Sequence, residues 1–452
     1  MTTLQTPRFS QELQATLRLA APLALAQIAQ MGMGLTDTIL IGALGRDALA
    51  AGGLGAGLFF TVSAVLQGLV FGVGILVAHA RGAATYDKIP MIVRGGFIVA
   101  TLVALPLMIV LWNIEPILLA LGEPPQLAHD VQGYVRILLF ATPASLWLAV
   151  QRSYLAAMGH TRLVMTVAVV ALFVNGVLNY SLIHGKFGLP EMGLLGSCTA
   201  TVIAVWGMML ATAAGMRRTR DPRVKPAPVD WKVVRELLHL GWPISITLGV
   251  EVLLFLVGAL MMGVISTTAL AAHQVALNIA SLTFMVPLGI AQAANVRVGF
   301  HMGAGRPHAA RRAGFAAFGL GVSFMALMAV VMITAPYQIA ALFNLDANKP
   351  ADAEVIAVVV QLLTICAFFQ IFDGAQTIGA GALRGLKDTR VPAMLAGFSY
   401  WGVGFPIAWS LGFPLGWGAT GVWWGLALGL ATAAVVLNTR FWRLSGRLIA
   451  VT

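Results

Sequence analysis

Three carboxylates stand in apolar stretches where lipid-compatible sequence should exclude them. Asp37 lies in LALAQIAQMGMGLTDTILIG, Glu251 in LLHLGWPISITLGVEVLLFLVGALMM, and Asp373 in CAFFQIFDGAQTIGAG. As a helix the Glu251 stretch would run ~39 Å, ample for a hydrocarbon core of ~30 Å, so Glu251 falls near the middle of the membrane. An ionised carboxylate there costs at least ~2.5–3.5 kcal/mol, and such residues usually face a bundle interior or a water-filled cavity on an ion or substrate path. A structural acid held by a hydrogen bond is the plainer alternative, and the same cost argues against it.

The neighbours of these acids extend the pattern. Gln370 and Gln376 flank Asp373 three residues away on each side, on its own helix face, and could hydrogen-bond it. Asn175 and Asn179 are an i, i+4 pair on one face of another apolar run, although pairing between membrane helices would also use them. Met31, Met33, Phe284 and Met285 could line an adaptable apolar pocket, although a lipid-facing or packed position is the plainer reading of any one of them. No Lys or Arg is expected mid-membrane to neutralise the acids. A desolvated carboxylate without a basic partner takes up a proton or accepts a cation instead. A proton and an organic cation would then compete for one site. Competition at an alternately exposed site gives antiport, with coupling reciprocal by linkage.

The elements that must hold these residues are membrane helices. The 452 residues are 59% hydrophobic and 10% charged, against about 25% charged in an ordinary soluble domain. Runs of spanning length fall near 17–43, 51–78, 91–112, 134–157, 162–184, 192–215, 237–262, 270–297, 313–335, 355–382, 391–412 and 418–439. Twelve spans put both termini on one side. Arg8 and Arg18 precede the first, and Arg440, Arg443 and Arg447 follow the last. Alternate loops hold nearly all the other basic residues, the exceptions being Arg46, Lys186, Lys349 and Arg136. By the positive-inside rule both termini are cytoplasmic. The net charge of +11 is therefore a matter of topology, and no nucleic-acid partner is implied.

The longest connection on that side, MRRTRDPRVKPAPVDWKVVR from Met216, is charged and Pro-rich, as a linker should be. It separates residues 1–216, a first six-helix lobe, from residues 237–452, a second, with 217–236 as the cytoplasmic linker. The two halves echo each other. Pro22 aligns with Pro243 at an offset of 221, and the same offset aligns Asp47-Ala48-Leu49-Ala50-Ala51 with Thr268-Ala269-Leu270-Ala271-Ala272; LAAMGHTR and LRGLKDTR align at 228. A tandem duplication with an even number of helices gives two pseudo-symmetric lobes related by an axis along the membrane normal, with substrate sites near the midplane of a central cavity. The expected fold is thus an all-α membrane protein of twelve transmembrane helices. Subtracting 221 from Glu251 gives Gln30, and Asp37 is seven residues further along, ~20° from the same face and ~10 Å displaced in depth.

Other chemistries find little support. Cys198 and Cys366 lie in apolar segments, which leaves no disulfide framework. The eight histidines show no metal-ligand or nucleophile spacing, so neither a metal site, a cofactor nor an enzyme is expected. The polar residues Met1 to Thr16 lead into a span too long for a signal-peptide core, and no cleaved presequence is expected.

Three runs carry a likeness to a known family: TALAAHQVALNIASLTFMVPLGIAQAANVRVGFHMGAGRP from Thr268, GALRGLKDTR from Gly381, and NYSLIHGKFGLPEMGLLGS from Asn179. They resemble the multidrug and toxic compound extrusion (MATE) family, most closely its bacterial NorM-like branch. The resemblance implies a twelve-helix exporter of cationic, often aromatic small molecules in exchange for H⁺ or Na⁺, placed in the bacterial inner membrane. It puts the family's membrane acids on Asp37, Glu251 and Asp373, the neighbouring asparagines on Asn175 and Asn179, and a threonine of the sixth span on Thr201. Phe369 stands where the family often has a tyrosine one turn before the last acid. Gln30, Met33, Phe284 and Phe369 are the expected lining of the substrate cavity. A monomer working in the lipid bilayer is expected. A flippase or exporter of a lipid-linked or other specific metabolite on a related fold is the alternative, but it should carry basic residues in its cavity. A passive channel would fail to accumulate substrate against a gradient.

Overall fold

The computed structural model describes residues 9–219, 221–224, 227–343, 345 and 349–450. Arg8, Arg220 and Lys225, counted above among the basic residues, lie outside them. Among the described residues the regular structure is entirely helical. The first half contains α1 (Phe9–Gly42), α2 (Arg46–Val70), α3 (Gly72–Gly82), α4 (Lys88–Trp112), the short α5 (Glu115–Ala120), α6 (Pro125–Leu138), α7 (Ala141–Met158), α8 (Thr161–His184) and α9 (Leu194–Arg218). The second contains α10 (Trp231–Ile265), α11 (Thr267–Gly303), α12 (Pro307–Thr334), the short α13 (Pro336–Ala341), α14 (Pro350–Gly385), α15 (Arg390–Gly397), a π-helical stretch (Phe398–Gly404), α16 (Phe405–Gly412) and α17 (Gly418–Ala450). Among the described residues eleven segments are long and apolar enough to cross a membrane, with α2 and α3 counted as one and α15 to α16 as another, and twelve if the bent pair of α6 with α7 is one span.

Prolines account for two irregular spans. The fourth span bends by 47° between α6 and α7. Pro143 has no N–H for the carbonyl of Leu139, and its ring would collide with it, so that carbonyl accepts instead from Thr142 N at 2.9 Å. In the eleventh span Pro406 similarly has no N–H for the carbonyl of Gly402, and the chain passes through the π turn Phe398–Gly404, closed by Phe405 N on the Tyr400 carbonyl. Such π bulges recur at functional sites, and this one carries Tyr400 and Trp401.

The duplication is visible in the helices themselves. Subtracting 221 from the limits of α11, Thr267 and Gly303, gives 46 and 82, which are the start of α2 and the end of α3. Contacts divide the chain into two compact units, one made of Met1–Ala24 with Ile246–Thr452 and the other of Leu25–Ser245. These limits differ from the 1–216 and 237–452 lobes because the opening halves of α1 and α10 each pack with the opposite repeat. The cuts after Ala24 and after Ser245 are again 221 residues apart. Two glycines mark the exchange: a Cβ on Gly289 would lie 2.6 Å from Ala24 N, and one on Gly68 would lie 2.7 Å from Ser245 N. Those four residues are related by the same offset.

The linker is held to the Leu25–Ser245 unit. Arg223 Nη2 bonds Asp221 Oδ2 at 2.7 Å, its guanidinium lies 3.9 Å from the ring centre of Tyr86, and Arg94 donates to the carbonyl of Ala227. The Arg223 hydrogen bonds hold the Asp221 carboxyl down at about 2.

Candidate cation-coupling site

In the Leu25–Ser245 unit, α1, α8 and α9 bring four of the expected residues together. Asp37 is 5% exposed. Asn179 Nδ2 donates to its Oδ1 at 2.8 Å, and Thr201 Oγ1 donates to its Oδ2 at 2.8 Å. The i, i+4 spacing of the asparagines appears in the bond from Asn179 Nδ2 to the Asn175 carbonyl, 3.1 Å. Asn175 is fully buried beside them, and its amide makes no hydrogen bond of normal geometry. A small crevice opens onto Asp37, lined by Gly34 and Thr38 of α1, Gly52, Gly53 and Phe60 of α2, and Tyr134 of α6. The three glycines present no side chain to it.

In the other unit a single amide organises the second cluster. Gln376 Nε2 lies 3.0 Å from Glu251 Oε1, 3.3 Å from Asp373 Oδ1 and 3.0 Å from Thr377 Oγ1. Its carbonyl accepts from Tyr400 OH at 2.9 Å. A phenol that donates to the Gln376 oxygen fixes the amide's orientation and points its NH₂ at the two acids. Asp373 and Gln376 are buried, whereas Glu251 is half-buried. Two ionised carboxylates that share one donor repel each other, and a proton or a bound cation relieves the repulsion.

Several expectations need correction. Gln370 shares a face with Asp373 but does not bond it. Its Oε1 accepts from Thr283 Oγ1 at 3.0 Å and its Nε2 reaches the Met325 carbonyl at 3.4 Å, so it ties α14 to α11 and α12. Phe369 is 1% exposed, its ring 6.0 Å from that of Phe255 and 5.4 Å from that of Trp423. It is part of an aromatic core, not of a lining. Met33 and Phe284 are half-buried. The spans are also not free of arginine. Arg152 of α7 donates to Gln27 and Gln30 of α1, which clamps Gln30 at the position equivalent to Glu251. Arg384 stands in the last turn of α14.

Sequence reasoning missed Tyr400, Arg152 and Arg384. A signal existed for Tyr400, since a phenol within an apolar span needs a hydrogen-bond partner when buried. Arginines at span ends read equally well as loop residues, and only the packed helices separate the two.

Comparison with known proteins bears on what this arrangement serves. The MatE family model matches the chain twice, over residues 22–181 and 243–410, beginning at Pro22 and Pro243. The chain is 50% identical over 445 residues to the probable multidrug resistance protein NorM of Burkholderia mallei, covering 98% of this chain and 95% of the relative. It is 50% identical over 448 residues to the multidrug resistance protein NorM of Burkholderia vietnamiensis, covering 98% and 96%. A crystal structure of a eukaryotic MATE transporter superposes with a TM-score of 0.86 at 21% identity, over 97% of this chain and 99% of that one. That last likeness concerns the fold alone.

Proposed function

Since the chain belongs to the MatE family, we propose that this multidrug efflux transporter is a secondary antiporter that exports organic cations, often aromatic, in exchange for H⁺ or Na⁺. The observation that carries the reading is the Gln376 amide shared by Glu251 and Asp373. A site of this kind is poorly occupied by two bare charges and is satisfied by one proton, one small cation or one cationic drug. Asp37, held by the neutral donors Asn179 and Thr201, offers a third carboxylate whose charge those donors do not cancel.

Binding of the drug favours the ionised acids, and binding of the ion displaces the drug, so each drives the other's release when the site is exposed to opposite sides in turn. Movement of the two units between outward- and inward-open arrangements would supply that alternation. The basic loops support a cytoplasmic location for both termini, in the inner membrane, and one chain holds both acid clusters, so a monomer suffices. No cofactor enters the cycle beyond the coupling ion.

The test is drug accumulation in inverted membrane vesicles. Glu251→Gln and Asp373→Asn should each abolish ion-driven uptake of an organic cation while leaving the protein inserted. Undiminished coupled uptake in both variants would sink this assignment.

A further inference from the structure

Away from the acid clusters, one buried ionic group is left without a role. Glu12, at the start of α1, is 0% exposed. Arg297 Nη2 donates to its two oxygens at 2.8 and 2.7 Å, and Arg297 Nε to one of them at 3.2 Å. His301 Nε2 lies 2.9 Å from Glu12 Oε1 and 3.1 Å from Arg297 Nη2. All three belong to one unit. They pin the first half of α1 along α11, which it follows antiparallel as far as Ala24 on Gly289.

The other repeat shows what such docking requires. The offset of 221 carries Glu12, Arg297 and His301 onto Val233, Leu76 and Ala80. There the first half of α10 docks on α2 and α3 by the matching contact of Ser245 on Gly68, with Leu237 against Gly72. Those three positions hold apolar residues. Burying an ion pair costs several kcal/mol per ion, and apolar replacements of similar volume are often neutral or stabilising. The matching dock therefore forms without a Glu–Arg–His triad at these positions. What the ions add is reversibility, because each charged partner regains its hydration on release and an apolar face does not.

We propose that Glu12, Arg297 and His301 are positioning residues for transport, a clasp that lets the first half of α1 undock and redock in each cycle. Pro22, with the boundary between units two residues beyond it, lies between the clasp and Asp37. The inference rests on the alternating exposure proposed above.

The full chain in proteoliposomes tests it with two readouts. Thr16 is buried on the docked half, and both native cysteines are buried, so maleimide labelling of Thr16→Cys reports undocking without any drug. In that background E12Q should raise the labelling rate by at least about tenfold, as expected when one partner of a buried pair is removed. The charge-reversed pair E12R/R297E should return it toward the starting value. The triple variant E12V/R297L/H301A, which copies the first repeat, should label more slowly than the parent and lose most of its efflux kcat, with KM and melting temperature held or raised. A triple variant that pumps at the parental kcat, or labelling equal in all variants, overturns the clasp. If the parent moves no ion against the drug, the antiport reading fails, while labelling still decides whether the clasp opens.

Discussion

At the scale of single residues the second acid cluster turns on Gln376, one side chain that touches Glu251, Asp373, Thr377 and Tyr400. Gln376→Leu keeps the volume and removes the donor. Hydrogen bonds to charged groups contribute roughly 1.5–3 kcal/mol, so ion-coupled efflux should fall by at least tenfold. Tyr400→Phe removes only the group that orients the amide and should cost about tenfold or less, since a neutral hydrogen bond is worth ~1 kcal/mol. Transport rates in vesicles check both, and a Tyr400→Phe defect larger than that of Gln376→Leu would contradict this hierarchy. The three acids were legible in the sequence because each is costly where it sits. Their partners were only partly so. Helix periodicity placed Gln370 and Gln376 together on the face of Asp373, but which neighbouring helix each amide meets depends on packing, and Gln370 turns toward Thr283.

At the scale of helices, sequence spacing carried far. The offset of 221 that joins Pro22 to Pro243 also joins α11 to α2 with α3 and relates the two glycine contacts. It could not reveal that the first halves of α1 and α10 pack with the opposite repeat, because apolar helix faces do not name their partners. The bend in the fourth span was marked by Pro143 yet hidden in a continuous apolar run. The glycine contacts give a direct test. Gly289→Val places a side chain against the backbone of Ala24 and should destabilise by about 1–3 kcal/mol, the usual cost of overpacking. Gly57→Ala, where nothing lies within 4 Å of the added carbon, should be neutral or gain up to ~1 kcal/mol from helix propensity. Melting in detergent compares them, and equal melting temperatures would show that the close approach at Gly289 is not a constraint.

At the scale of the whole molecule, the basic loops and the acid clusters make separate claims. Topology predicts that a membrane-impermeant maleimide applied to intact cells labels Lys186→Cys and leaves Arg217→Cys unlabelled; the reverse pattern would invert the proposed orientation. Coupling is the central claim, and its most direct measurement follows H⁺ and Na⁺ together when an organic cation is added to sealed vesicles with no ion gradient imposed. The parent protein should release one of the two ions as the drug moves, and Glu251→Gln/Asp373→Asn should release neither. Drug movement without either ion in the parent, or ion release undiminished in the double variant, would contradict the account.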